Sequence, residues 1–295
     1  MSKQRLGFIG LGLMGTAMSL RLLEKGWPLT VWNLEPDRVP PIVEAGANAA
    51  PSPAAVAEAS DIVLICVLHT KAVEDCVFGA DGIAKADVRG KILIDHSTAD
   101  PNRTRDLAAR LRREKRMAWI DAPVSGGPVA ARDGTMTVMA GGEADDIEAI
   151  RPLMADLTAN FTHIGPNGAG QMAKVINQAI VGTNYVVMAE ALALAEASGI
   201  DAACLPQCLA GGHADSTLLQ QLYPRMQARD FTPPRAYARQ LLKDMHAVGD
   251  TVEALGLALP LIRAAIRRHE AFVERGNEMT DPAAITQLYQ RKEKS

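Results

Sequence analysis

Leu6-Gly7-Phe8-Ile9-Gly10-Leu11-Gly12-Leu13-Met14-Gly15 is the stretch that decides the fold. Leu6–Ile9 is a short apolar run, read as a strand covered on both faces. The glycines after it spell G-x-G-x-x-G and open an amphipathic helix, Met14–Lys25, which Gly26 ends. Strand, glycine turn and helix in that order form a cradle for a dinucleotide. Gly10 permits the tight turn. Gly12 lets a pyrophosphate reach the backbone, where free N–H groups and the helix dipole attract negative charge. Gly15 allows helix and strand to pack closely. Gly10, Leu11, Gly12, Leu13, Met14 and Gly15 are therefore the expected phosphate-binding residues.

Outward from this unit, apolar runs alternate with helical patterns up to about residue 165. Leu29–Trp32, Ile62–Val67, Ile92–Ile94 and Met117–Ile120 read as further strands, and Asn102–Lys115 as a helix. Such alternation predicts an α/β fold, a doubly wound parallel sheet with right-handed crossovers. The pattern changes at the glycine-dense joint Gly165–Gly170, and no strand is expected beyond it. Gln171–Ser198 reads as one long helix, apolar on nearly all sides, to be enclosed by other helices or by a partner subunit. More helices are expected near 201–210, 215–228, 235–256 and 259–275. The expected division is a dinucleotide-binding domain over 1–165 and an all-α substrate and dimerisation domain over 166–295, joined by an interdomain helix over about 170–198.

The 295 residues carry 31 basic and 34 acidic side chains, and neither half has a basic excess, which argues against nucleic acid as a partner. The polar start reads as no signal peptide, and no apolar run is taken to reach the roughly 20 residues of a membrane span. No membrane partner is expected, and the expected location is cytoplasmic. Cys66, Cys76, Cys204 and Cys208 form no C-x-x-C pair and read as buried or half-buried thiols. The histidines show no metal-ligand spacing, so no metal is expected.

The second strand ends at Asn33-Leu34-Glu35, where a carboxylate holds the adenosine ribose hydroxyls and an arginine would accept a 2′-phosphate. Asn33 is neutral, Leu34 offers no guanidinium, Glu35 would repel a phosphate, and Arg38 could reach inward. The balance favours NAD, with NADP as the alternative.

Several segments together resemble the β-hydroxyacid dehydrogenase family, which includes 3-hydroxyisobutyrate dehydrogenase and tartronate semialdehyde reductase. They are Gly7–Gly15, Asp95-His96-Ser97-Thr98, the run Asp121-Ala-Pro-Val-Ser125-Gly126-Gly127 with Gly134–Met139 behind it, Gly168-Ala-Gly-Gln171-Met-Ala-Lys174-Val-Ile-Asn177-Gln178, and Lys243-Asp244. The resemblance implies a Rossmann domain, an all-α second domain and an active site in the cleft between them. It also implies reversible hydride transfer between NAD(P) and a hydroxyl of a small carboxylic acid or the matching semialdehyde.

Lys174 matches the family's catalytic lysine, a general acid and base at the reacting oxygen. Asn177 and Gln178, three and four residues on, share its helix face, and either could hold the lysine or the substrate oxygen. Ser125, Gly126 and Gly127 match the loop that takes the substrate carboxylate through backbone N–H groups and a hydroxyl. Thr98 matches a position touching both the nicotinamide end of the cofactor and the substrate. Leu68 and His69 stand where relatives have Leu-Pro lining the cofactor, so His69 is off pattern. His96 replaces a frequent serine, either altering the pocket or serving as a helix-entry residue. Lys243 matches a lysine closing over cofactor and substrate, while Asp244 reads as structural. Val129–Ala131, Gly211–His213 and Phe231 are candidate pocket residues, small enough on balance for a short acid. Family members are dimers or tetramers, so a homodimer or homotetramer is expected. Two other readings stay open: an imine reductase, whose members generally lack the lysine, and a non-catalytic dinucleotide-binding module.

Overall fold

A computed structural model describes residues 3–289. The strands are β1 (Leu6–Ile9), β2 (Leu29–Trp32), β3 (Asn48–Ala49), β4 (Ile62–Ile65), β5 (Ile92–Asp95), β6 (Ala118–Asp121), β7 (Val124–Ser125), β8 (Met136–Gly141) and β9 (Thr158–Gly165). The first seven helices are α1 (Leu13–Glu24), α2 (Pro40–Glu44), α3 (Pro53–Ala59), α4 (Thr70–Phe78), α5 (Pro101–Lys115), α6 (Gly127–Asp133) and α7 (Ala144–Leu157). The remainder are α8 (Ala169–Ser198), α9 (Leu205–Leu209), α10 (Thr217–Ala228), α11 (Ala238–Ala254) and α12 (Pro260–Phe272), with a closing 3₁₀ turn at Pro282–Leu288. The chain divides into two compact units between Lys174 and Val175, inside α8.

The first unit holds one sheet in the order β3-β2-β1-β4-β5-β6-β8-β7, with β9 against β8. From β3 through β6 every pairing is parallel, as the strand–helix alternation predicts. Beyond β6 the sheet turns antiparallel at β8, which pairs with β6 and β7. Leu6, Phe8, Leu64 and Ile94 face one layer of helices with Met18, Leu22, Ile147 and Leu153. Ile9, Val63, Ile65 and Leu93 face the other, with Val56, Leu107 and Leu111. Each of these side chains is almost wholly buried and contributes about 1.5–3 kcal/mol.

The second unit has no strand among its described residues. Met188, Ala189 and Leu192 of α8 pack with Leu222, Tyr223 and Met226 of α10, Met245 of α11 and Phe272 of α12. Gly182 makes that packing possible, since a Cβ there would lie 2.1 Å from the Met245 sulfur. Its carbonyl also receives the buried His269 ring at 2.9 Å. That nitrogen must carry the proton, because a carbonyl only accepts.

Two expectations need correction. Other helices of the single chain do not enclose α8, which leaves the partner subunit of the two covers expected for it, and its composition differs from the sequence reading. Ile176, Ile180, Val187 and Leu194 are exposed, and by length and composition the helix could even cross a membrane, where sequence reading found no run of that kind. Asn184 and Glu190 interrupt its most apolar stretch, 180–197, so no unbroken apolar run reaches the length of a span. Cys66 and Cys76 are half-buried and buried as expected, but Cys204 and Cys208 are exposed. They lie on a short 3₁₀ turn and the five-residue α9, too small to cover both thiols.

Candidate active site

In the first unit the candidate residues gather at the carboxyl ends of parallel strands, where open α/β sheets bind ligands. The glycine turn follows β1, Asn33 follows β2, Leu68 and His69 follow β4, Thr98 follows β5, and Asp121 ends β6. The three glycines have different tasks. Gly10 has φ +97°, and a Cβ there would lie 2.3 Å from the Cys66 carbonyl oxygen. A Cβ on Gly15 would lie 1.9 Å from the Gly10 carbonyl oxygen. A Cβ on Gly12 would meet no protein atom within 4 Å. The first two glycines serve the fold, whereas Gly12 leaves room for something outside the chain. No side chain caps α1 at Gly12, so its first-turn N–H groups have no side-chain acceptor. Open backbone and unclaimed donors fit the phosphates of a dinucleotide.

Asn33 ties this turn to the end of β2. Its Oδ1 accepts the Leu11 N–H at 2.7 Å, and its Nδ2 donates to the Glu35 backbone carbonyl at 2.9 Å and to Glu35 Oε2 at 2.8 Å. The Glu35 carboxylate is thereby held beside the cradle. Leu13 and Leu68 are half exposed at the rim.

Two histidines receive assignments the sequence left open. His69 is the N-cap of α4, its Nδ1 accepting the Ala72 N–H at 3.0 Å. His96 is no helix-entry residue, because α5 begins at Pro101 with Asp100 as its cap. Instead it is buried, and its Nδ1–H donates to the Ala122 carbonyl at 2.7 Å, joining the ends of β5 and β6. Burial lowers its pKa to about 4, so the ring is neutral at physiological pH.

Asp95 and Asp121 sit in register on β5 and β6. Burial raises Asp95 to about 7; the Ser97 N–H at 2.9 Å opposes that rise, and the neighbouring Asp121 charge adds to it. Burial also raises Asp121, against the N–H groups of Gly168 at 2.8 Å and Gln171 at 3.0 Å. Asp121 thus grips the start of α8, a task its motif gave no hint of. Two turns of that helix carry Gln171 and Lys174. Gln171 is buried and reaches back to Ser97 and Ala99 on either side of Thr98. Lys174 is 8% exposed and donates from Nζ to the Val124 carbonyl at 2.9 Å.

That carbonyl adjoins Ser125, which ends the short strand β7 rather than lying in a loop. Gly126 (φ +122°) and Gly127 (φ +72°) then turn the chain into α6, whose start no side chain caps. Lys174 and the Ser-Gly-Gly segment are thereby brought together. Among the small residues suggested for a pocket, Val129 is exposed but Ala131 is wholly buried in the core, because α6 packs on α1.

In the second unit the same helix continues with Asn177 and Gln178. Gln178 donates from Nε2 to Asp244 Oδ2 at 2.7 Å, and its Oε1 accepts from Asn177 Nδ2 at 2.9 Å. A carboxylate only accepts, so Asp244 fixes which way the Gln178 amide points, and that in turn fixes Asn177. Asp244 also pairs with Lys243 at 3.0 Å. Phe231 packs on the core of this unit, while Gly211, Gly212 and His213 lie exposed between α9 and α10.

Comparisons with known proteins agree with this layout. Residues 5–165 match the family model of the NAD binding domain of 6-phosphogluconate dehydrogenase. Residues 168–289 match that of the NAD-binding region of NADP-dependent 3-hydroxyisobutyrate dehydrogenase. The chain is 37% identical over 283 residues to 2-hydroxy-3-oxopropionate reductase of Escherichia coli, covering 96% of each protein. It is 31% identical over 292 residues to an NAD-dependent L-serine dehydrogenase of Pseudomonas aeruginosa, covering 97% of this chain and 98% of the relative. Among solved structures, 3-hydroxyisobutyrate dehydrogenase of Mycobacterium tuberculosis with L-serine superposes with a TM-score of 0.87 at 27% identity, covering 98% of this chain and 100% of the other.

Proposed function

The chain belongs to the β-hydroxyacid dehydrogenase family, and from that premise we propose that it moves a hydride between NAD(P) and a short β-hydroxyacid or its semialdehyde, with Lys174 as the general acid and base. The observation that carries this reading is the Lys174–Val124 hydrogen bond, which sets Nζ of Lys174 beside the Ser125-Gly126-Gly127 segment.

Gly10–Gly15 would hold the pyrophosphate of the cofactor, Asn33 its adenosine end, and Leu68, His69, Thr98 and Lys243 would line the rest. Bound NAD(P) supplies the hydride acceptor. The chain's own groups do the remainder. Gly126 and Gly127 offer N–H donors and Ser125 a hydroxyl to the substrate carboxylate. Lys174 takes the hydroxyl proton during oxidation as the neutral amine and gives it back during reduction as the ammonium, a contribution on the order of 10²–10⁴ in rate. Gln178, oriented by Asp244, turns Asn177 so that its amide oxygen stays outside that contact and can accept a hydrogen bond. NAD is favoured over NADP, because Asn33 pins the Glu35 carboxylate beside the cradle, where it repels a 2′-phosphate.

Relatives named for 2-hydroxy-3-oxopropionate and L-serine support a three-carbon carboxylate whose β carbon carries the reacting oxygen, as hydroxyl or oxo group. The functional division at 1–165 and 166–295 belongs to this reading and is supported by the limits of the two family models. So does a homodimer or homotetramer in the cytoplasm, with a second copy covering the exposed apolar residues of α8. Absorbance at 340 nm, with NAD and NADP in parallel against short β-hydroxyacids and their semialdehydes, tests the reading. Turnover of a three-carbon hydroxyacid is expected. Cofactor binding without turnover across the panel would refute it.

A further inference from the structure

Gln171 lies one turn before Lys174 on α8, and its wholly buried amide closes around Thr98. Oε1 accepts the Ala99 N–H at 3.0 Å, and Nε2 donates to the Ser97 carbonyl at 2.8 Å. Acceptor faces donor and donor faces acceptor, so the amide has one allowed orientation. Ser97 is held from two more sides. Its N–H donates to Asp95 Oδ1 at 2.9 Å, and its hydroxyl accepts the Val67 N–H at 3.0 Å. The Gln171 backbone is fixed in turn, its N–H donating to Asp121 at 3.0 Å. Residues three apart on a helix share a face, so the turn that locks the Thr98 segment also carries Lys174.

We propose that Gln171 is a positioning residue, whose amide sets the Thr98 segment at a fixed distance from the helix turn that carries Lys174. The proposal rests on the reading of Thr98 and Lys174 given above. Hydride transfer and proton transfer must occur on one substrate carbon and its oxygen, so the groups serving each need a fixed separation. A misplacement of about 1 Å costs on the order of 100-fold. Gln171 touches neither reacting atom in this account. It makes the spacing of those that do reproducible.

The test uses Gln171→Glu and Gln171→Leu in the full chain. A protonated glutamic acid has the donor and acceptor pattern of the amide, whereas a carboxylate faces the Ser97 carbonyl with a second acceptor. The groups that face this site are Asp95 through Ser97, Asp121 through the Gln171 N–H, neighbouring His96, and Lys174 a turn away. All are shared with the wild type, so the ratio of variant to wild-type kcat isolates residue 171. For Gln171→Glu, kcat is expected to fall at least about tenfold at pH 8. As pH drops toward 5.5 the ratio should recover, by up to about tenfold per pH unit. Gln171→Leu should stay low at every pH, by on the order of 10–100-fold. In both variants the NAD dissociation constant should change far less than kcat, since the cradle at Gly12 is untouched and only the nicotinamide end meets the Thr98 segment.

Rates are normalised to NAD-binding sites, so unfolded protein does not enter. If Gln171→Leu fails to accumulate, Gln171→Glu compared with itself across pH decides alone. A ratio that is flat with pH for Gln171→Glu, at any level, overturns the proposal, because a packing role would not follow the proton. Lys174→Ala is measured beside them. If it retains turnover, the reading of Lys174 fails. If it is inactive while Gln171→Glu gives a flat ratio, the positioning role alone fails.

Discussion

Replacing Gly12 by alanine separates a glycine that serves a ligand from one that serves the fold. Gly12 has φ −68° and ψ −172°, a conformation open to any residue. A Cβ there has no protein atom within 4 Å. The folded chain therefore loses nothing, and the stiffer unfolded chain should leave Gly12→Ala more stable by about 0.4–1 kcal/mol. The added methyl group instead fills the space assigned to the pyrophosphate. Forcing an extra methyl into an occupied space costs typically about 1–3 kcal/mol, which is roughly a 5–150-fold weaker NAD dissociation constant. Gly15→Ala is the control with the opposite signature, since its Cβ would lie 1.9 Å from the Gly10 carbonyl oxygen and 3.0 Å from the Phe8 ring. It should lose several kcal/mol of stability before any question of ligand arises. Thermal unfolding by circular dichroism and NAD binding by isothermal titration calorimetry measure the two effects. A Gly12→Ala protein that binds NAD as the wild type does would refute the placement of the cradle. A melting temperature falling as far as that of Gly15→Ala would refute the distinction between the glycines.

Asp95 sits near pKa 7 against an ordinary 3.8, so the folded chain keeps a proton that the unfolded chain releases. Its contribution is present below about pH 4 and lost as pH rises through about 7, on the order of 4 kcal/mol in all. Calorimetry should therefore find Asp95→Asn gaining stability over the wild type at pH 8 compared with pH 5, and a pH-independent difference would contradict this. Leu34→Arg with Glu35→Ser should shift kcat/KM toward NADP by at least about tenfold, since a guanidinium replaces the carboxylate that Asn33 holds at 2.8 Å. A wild type that already prefers NADP would sink that argument. Sedimentation should show the wild type as a dimer or larger, and Ile180→Glu with Leu194→Glu as a monomer, because both residues are exposed on α8, at 59% and 72%. A monomeric wild type would show that another copy does not cover this face.

Much of the fold was legible because its signals are local. β1 and β4 are buried on both faces, β2 alternates buried with half-buried positions, and Gly26 ends α1 with φ +75°. The strands that escaped notice lack that signature. β9, Thr-Ala-Asn-Phe-Thr-His-Ile-Gly, lies at the sheet edge with mostly exposed residues, and β3 and β7 have two residues each. β8 is buried at four of its six residues and exposed only at Thr137, but Thr137 and the glycine at its end break the apolar run. In the site, Lys174 and Ser125 stood out through their motifs. The tasks of Asp121, Gln171 and His96 did not, because each acts through a partner 26 to 74 residues distant in sequence. No periodicity encodes such pairings. Asp244 looked structural and does hold another side chain, Gln178, whose amide it orients.

The central claim is that Lys174 moves the proton while the chain binds its cofactor elsewhere. The measurement is steady-state turnover of Lys174→Ala on the acid that the wild type oxidises fastest, with the NAD dissociation constant determined on the same preparation. The account predicts a kcat lower by on the order of 10²–10⁴ with NAD binding unchanged within about threefold. Turnover within about tenfold of the wild type would contradict it.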